Sequence, residues 1–545
     1  MLMDDPKLWQ KRIEALEVAI NETIAIAKER GVARERAMEK RYGSYASNLL
    51  ELLKLPEDQR PEDLREVTKH EVYRSVQEMM QIGTSVEALE TLRSFSCEAF
   101  EFFHEGYYGN GKKLPVSNNF PPRYVMRTIL NQVSFDLNIF QHAINQRQNY
   151  DGQMTQQGKS LFVADRLASM SVQPAIDAGF LETSTTIVSY LDKRIRARLV
   201  PYYDVILISI AFASMQQGSF PSRDFLAIPH EIGHHLYWNG VMPDTQEYLR
   251  DTLHEKLRAA GVTSQDWRLR WLEEMFADVY ALIIGGPVVA LDFQDMLDDD
   301  VPTHFREDTD KHPIPELRPM IQTRILRQIK PESGCFYLDT PDRLDNNWKQ
   351  WIRDQWPGRD ILNEMFQIKG KRAKLSGQHI IASMDVMIAT ILDILKPIIP
   401  QDRNTPWSAD VMDEEDINFY DCRYDDEEVR SIIENIHPDN HLAHLYLQFY
   451  KNAYPQDDDE ILSLVFADKE YDEETQDRLI KKFMLRKNSF HERIEKIAGQ
   501  SANELSTGDW VEMFLFQGWS DEGPLGGSGK TTSAPTGTDP TSSGS

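Results

Sequence analysis

Residues Phe225 to Gly240 read FLAIPHEIGHHLYWNG and set His230, Glu231 and His234 in the spacing H-E-x-x-H. On a helix, positions i and i+4 differ by about 40° around the axis and about 6 Å along it, so both imidazoles can reach one metal ion. Glu231 follows the first histidine and can face the metal's open side. There it can take a proton from a water whose pKa zinc lowers to about 7, the chemistry of amide hydrolysis at neutral pH. His235, at i+5 from His230, is turned by about 140° and is expected to point away, as a core or supporting group.

Such a site needs a third protein ligand and an open position. The continuation H-E-x-x-H-x-x-G-x-x-H of the metzincins fails here, because Tyr237 stands at the glycine and Gly240 at the third histidine. A deformylase-like cysteine is no better supplied, since the only upstream cysteine is the distant Cys97. Downstream, TSQDWRLRWLEEMFADVYALIIGGP (Thr263 to Pro287) reads as a helix opened by Thr263 and Asp266 and stopped by Gly285, Gly286 and Pro287. Glu274 and Asp278 share one face of it. Its other residues are so apolar that the helix must be buried, and buried carboxylates need a cation or a partner. Glu274 is therefore expected as the third ligand and Asp278 as the acceptor that orients a ligating histidine. Glu273 is the adjacent alternative, but Ala277 at its i+4 position cannot play that orienting part.

HEIGHH followed by EEMFAD resembles the gluzincin zinc metallopeptidases, which bind Zn2+ through two His and one Glu. The 40 positions from His234 to Glu274 are closer to the CAAX prenyl protease branch than to thermolysin. DKHPIPELRPMI (Asp310 to Ile321) is similar to the H-P-x-x-x-x-R segment of that branch, and the resemblance implies that His312 or Arg318 stabilises the oxyanion. The alternative is a Pro-rich turn with Arg318 in a surface ion pair. The resemblance covers roughly residues 200 to 325 and departs in one respect: that branch is usually embedded in a membrane, and no membrane association is expected of this chain.

The elements that must position these residues are mostly helical. The expected fold class is mostly α with a small β component (α+β), a zincin-like catalytic core flanked by helical regions. Long periodic stretches in residues 1–150 predict a helical N-terminal domain, and residues 151–330 the metallopeptidase core. Within that core, helix is expected over about 155–200, followed by a strand in PYYDVILISIAFAS (Pro201 to Ser214). This strand lies where zincins, by resemblance, draw the edge that aligns an extended substrate; the other reading is a fully buried strand. QQGSFPSRD reads as a turn, Pro229 as an early helical position or a kink, and Asn239 with Gly240 as a helix end. Residues 331–520 form a predicted helical C-terminal region and 521–545 a disordered tail. GSGKT in that tail is no phosphate loop, since Pro524 takes the first glycine's place and no helix follows. His437, His441 and His444 lack the acids or cysteines of a second metal site.

A formal charge of −27 argues against a general nucleic-acid surface. The acidic runs between residues 413 and 474 read as solvated faces, with a basic partner as the minor alternative. The N-terminus lacks the apolar core of a leader, and the apolar run from His379 is broken by Asp385 and Asp393, as in a buried helix. Cys97, Cys335 and Cys422 lie too far apart for a disulfide framework, which fits a reducing cytoplasm. The expected function is a soluble zinc-dependent peptidase acting on a peptide or protein, with an activating protein or ligand opening a cleft covered by the flanking helices. Two alternatives stand beside it: a zinc-containing interaction protein without proteolytic activity, and a zinc hydrolase of a non-peptide amide.

Overall fold

The structure, a computed structural model, describes residues 6–399 apart from 43–68, 112–120 (Leu114 excepted), 199–204, 213–221, 299–304, 330–339 and a few single or paired positions. The acidic runs, the His437 to His444 group and the predicted tail lie outside the described residues. The described chain is mostly helical with a small strand component.

Helices α1 (Pro6–Tyr42), α2 (Lys69–Tyr108) and α3 (Pro122–Gln146) pack on one another through apolar stripes at helical spacing. Trp9, Ile13, Ile20 and Ile24 of α1 meet Leu89, Leu92 and Phe103 of α2 and Ile129, Val133 and Phe140 of α3. A hairpin of β1 (Asn149–Tyr150) and β2 (Gln153–Met154) then leads to α4 (Gln156–Asp177), whose cap Thr155 accepts from Gly158 N at 3.1 Å.

Helix does not continue to residue 200. After Asp177 the β-branched segment TIVSYLD forms β3 (Thr186–Asp192), followed by β4 (Arg196–Arg198) and β5 (Val205–Ala211), which make a three-stranded sheet in the order β3-β5-β4. β5 runs parallel to β3 and antiparallel to β4. The strand expected at Pro201 to Ser214 is therefore the central, buried one, and β4 is the edge beside the candidate site. Both faces of the sheet are covered, which explains the uninterrupted apolar run of β5. Val205 and Leu207, with Val188 and Tyr190, join the core of the N-terminal helices, whereas Ile206, Ile208 and Ile210, with Ile187 and Leu191, join the core of the helices that follow.

The outer edge of β3 is closed by side chains. Asp165 accepts from Ser189 N at 2.7 Å and Arg147 donates to Ser189 O at 2.7 Å. The Gln146 amide meets Leu191 N and O at 2.7 and 3.0 Å. These contacts occupy the outward N–H and C=O groups of Ser189 and Leu191, which limits pairing by another strand at that edge.

The second core holds α5 (Ile228–Asn239), α6 (Leu249–Ala259), α7 (Leu272–Gly285), α8 (Pro287–Asp298), α9 (Arg318–Gln328) and α10 (Thr340–Gln355), then the hairpin of β6 (Met365–Phe366) and β7 (Leu375–Ser376), and finally α11 (Gly377–Ser383) and α12 (Asp385–Leu395). Pro229 occupies the first turn of α5, and Gly240 ends the helix. The helix expected from Thr263 starts later: Asp266 caps a 3-10 turn (Trp267–Trp271) by accepting from Arg268 N at 3.0 Å, and α7 follows it. α7 stops at Gly286, whose φ of 69° is costly for any other residue, and Pro287 opens α8 at once. The apolar run from Gly377 to Leu395 is long and apolar enough to cross a membrane by length and composition, and a little under half of it is buried. Ile380, Met387, Ile388 and Ile391 turn inward to the second core.

Candidate metal centre

Helices α5 and α7 cross at Gly233. A Cβ there would lie 2.7 Å from Ala277 Cα, so only glycine allows the two backbones to approach this closely. Their contact sets His230 and His234 against the first turns of α7. The two Nε2 atoms are 3.2 Å apart. Glu274 Oε2 is 3.5 Å from His230 Nε2, and Oε1 is 3.5 Å from His234 Nε2. The two imidazole nitrogens are separated by about one edge of a tetrahedron with metal–ligand bonds of about 2.0–2.1 Å, and Glu274 turns a different oxygen toward each; taking one ligand atom from each residue, all three lie within 4.8 Å of one another.

The rear of each imidazole is held as well. His230 Nδ1 lies 3.1 Å from Asp278 Oδ1, the orienting contact expected from the sequence. His234 Nδ1 lies 3.0 Å from Glu273 Oε1, which also accepts from Trp238 Nε1 at 2.9 Å. Sequence reasoning set Glu273 aside because Ala277 follows it at i+4, but its partner is on the other helix. A signal was present: His230, His234 and Trp238 recur at i+4 and so share a face. His235 points away, its Nδ1 3.3 Å from Asn239 Nδ2.

Arg318 is buried under the carboxylates, donating to Asp278 from Nε and Nη2 at 2.8 Å and to Glu274 Oε2 at 2.9 Å. Its Nε and Nη2 donors are thus taken up by buried carboxylates, so it does not stand in a surface ion pair. Its role is to hold two buried carboxylates in place. His312 does enter the site, on an exposed Pro-rich turn, with Nε2 3.2 Å from Glu274 Oε1. Glu231 sits on the side of α5 toward the sheet and accepts a short hydrogen bond from Ala197 N of β4. No sequence feature indicated Ala197, because β4 was itself missed.

The titrations follow from this packing. Burial alone would push the imidazoles down, yet Asp278 and Glu274 raise His230 to about 10, and Glu274 with Glu273 raises His234. Burial would raise the carboxylates, but His234 and Arg318 hold Glu274 well below its usual range, and Arg318 with His230 brings Asp278 to about 2. With both imidazoles neutral, as metal ligands must be, the three carboxylates that touch them and the one guanidinium of Arg318 leave two negative charges, which a divalent cation would offset. His230, His234 and Glu274 form the one such ligand group among the described residues.

No family model, curated protein or solved structure compared with this chain matches it. The reading of the site rests on its residues.

Proposed function

We propose that this chain is a zinc-dependent peptidase in which His230, His234 and Glu274 hold Zn2+. The observation that carries the reading is the cluster of His230, His234 and Glu274, with one ligand atom from each within 4.8 Å of the others and Glu231 next to His230 on the same helix. Zinc, when bound, supplies the Lewis acidity that makes water a nucleophile near neutral pH and polarises the scissile carbonyl. Glu231 accepts the proton of the attacking water and delivers it to the leaving nitrogen. Asp278 and Glu273 hold the ligating rings by their Nδ1 atoms, and Arg318 keeps Glu274 and Asp278 ionised. His312 donates to the charge that develops on the carbonyl oxygen. An extended peptide runs along the outer edge of β4, where the Ala197 N–H faces Glu231; the closure of the β3 edge supports that choice of edge.

The reading extends to a reducing, cytoplasmic setting, to a peptide or protein as substrate, and to an activating protein or ligand acting through the flanking helices. The high negative charge supports no nucleic acid as partner, and no membrane is part of the proposal.

A second reading has an observation of its own. His312 Nε2 stands 3.2 Å from Glu274, near enough to a ligand for a closed, structural zinc site in an interaction protein. Glu231→Gln separates the two. The peptidase is expected to keep its zinc and lose about a hundredfold or more in kcat, since a structural site has no use for a proton carrier. Peptide cleavage surviving in that variant overturns the assigned mechanism. Comparing new N-termini made by wild type and by Glu231→Gln distinguishes a peptidase from a hydrolase of other amides.

A further inference from the structure

The turn carrying His312 is organised around a single hydroxyl. Thr309 Oγ1 accepts from the backbone N–H of Lys311 at 3.2 Å and of His312 at 2.8 Å, and lies 3.1 Å from His312 Nδ1. Thr309 N donates to His312 O at 3.2 Å and closes the turn. Asp308 ties it down from outside, accepting from Arg270 Nη2 at 2.7 Å and Lys369 N at 2.9 Å. A hydroxyl has two acceptor lone pairs and one proton. Both lone pairs here serve N–H groups, which only donate. The contact to Nδ1 is left with the hydroxyl proton, so Nδ1 accepts and the ring proton resides on Nε2.

We infer that Thr309 holds His312 as the Nε2–H tautomer, which makes this imidazole a hydrogen-bond donor on the open side of the site and bars it from the metal. The inference rests on the proposed hydrolytic zinc centre and decides which of its histidines are ligands. A ligating nitrogen needs a lone pair where His312 carries a proton. The same rule sorts the other two rings in the opposite sense. His230 and His234 turn Nδ1 toward Asp278 and Glu273, carboxylates that only accept, and so keep the Nε2 lone pair for the metal. The chemistry of the partner behind each ring divides the three imidazoles into two ligands and one donor. Thr309 is thereby a positioning residue for His312, whose Nε2–H already points at Glu274 Oε1 and is placed to meet an oxyanion forming beside it.

The test uses the zinc-loaded full-length chain labelled with 15N-histidine, with His312 assigned by comparison with His312→Gln. Solid-state spectra are expected to show His312 protonated at Nε2 and bare at Nδ1, and zinc X-ray absorption to count two imidazoles. The reverse protonation, or a third imidazole, overturns the inference. Thr309→Ser keeps the hydroxyl and is expected to preserve both signatures and kcat within about twofold. Thr309→Asp keeps an acceptor for the turn but has no proton to give. It is expected to move the ring proton to Nδ1 and to lower kcat about tenfold or more with little change in KM. A His312 spectrum unchanged by Thr309→Asp also overturns the inference. Protonation and imidazole count are read without turnover, so a wild type that cuts no peptide defeats the peptidase reading alone.

Discussion

Glu273 and Glu274 are neighbours in sequence with separate tasks, one behind His234 and the other in front of both imidazoles. Glu274 and Asp278 were legible because i and i+4 acids on an apolar helix need a partner. The task of Glu273 was not, because it depends on how α5 and α7 cross. Removing a carboxylate behind a ligating ring typically weakens metal binding 10- to 100-fold. Glu273→Gln is therefore expected to raise the zinc dissociation constant by about that factor in a chelator competition, and Trp238→Phe, which removes only a donor to Glu273, by less. Asp278→Asn has a second consequence, since it leaves Arg318 buried with Glu274 as its remaining anion. Breaking a buried pair from one side costs about 3–5 kcal/mol, so this variant should lose stability in urea as well as zinc affinity. A loss of zinc affinity with unchanged stability would contradict the role given to Arg318.

Two close approaches between elements set the geometry. The first is the crossing of α5 and α7, where Gly233→Ala would drive a methyl into the Ala277 backbone. Overpacking of this kind costs about 1–3 kcal/mol. A lower midpoint in chemical denaturation and weaker zinc binding are expected together, because the helices that separate are those carrying the ligands. The second is the seating of β4. Arg198 donates to Asp136 Oδ1 of α3 from Nε at 2.9 Å and from Nη2 at 2.8 Å, with both residues buried. Its guanidinium also lies 4.5 Å from the Phe135 ring centre. This pair ties the edge strand next to Glu231 to the N-terminal helices. Asp136→Ala is expected to destabilise the fold by about 3–5 kcal/mol and to raise KM more than it lowers kcat, since the strand that seats the peptide shifts while the ligands stay. Equal zinc affinity in variant and wild type would complete that picture. The sequence showed α3 as an apolar-faced helix, but a three-residue strand with two arginines carries no strand signal, and its place was fixed by partners far along the chain.

The sheet joins the two halves of the described molecule, since each of its faces belongs to a different core. Residues 1–150 read in sequence as a separate helical domain, yet their core continues into Val188, Tyr190, Val205 and Leu207 of the sheet. A chain beginning after residue 150 would expose that face. It is expected to aggregate or to lose the cooperative unfolding of the full chain, and recovery of a soluble, zinc-binding fragment would show that the first helices are dispensable. Zinc should stabilise the whole molecule by mass action, by about 2.7 kcal/mol at a hundredfold excess over its dissociation constant, and a chelator should reverse the gain in a thermal melt. By itself the sequence determined the helical character and picked out His230, His234 and Glu274 as candidate ligands, Glu231 as the candidate proton carrier and Asp278 as an acid to meet a histidine ring. Those follow from local periodicity and from the rule that buried charge needs a partner, and both operate within one or two helices. Tertiary structure alone decided that Arg318 meets the carboxylates, that Glu273 meets His234, that β4 is the edge beside the site, and that the Thr309 hydroxyl stands against Nδ1 of His312. Each of these depends on which side chain from another element fills the remaining donor or acceptor, and only the packed chain fixes that.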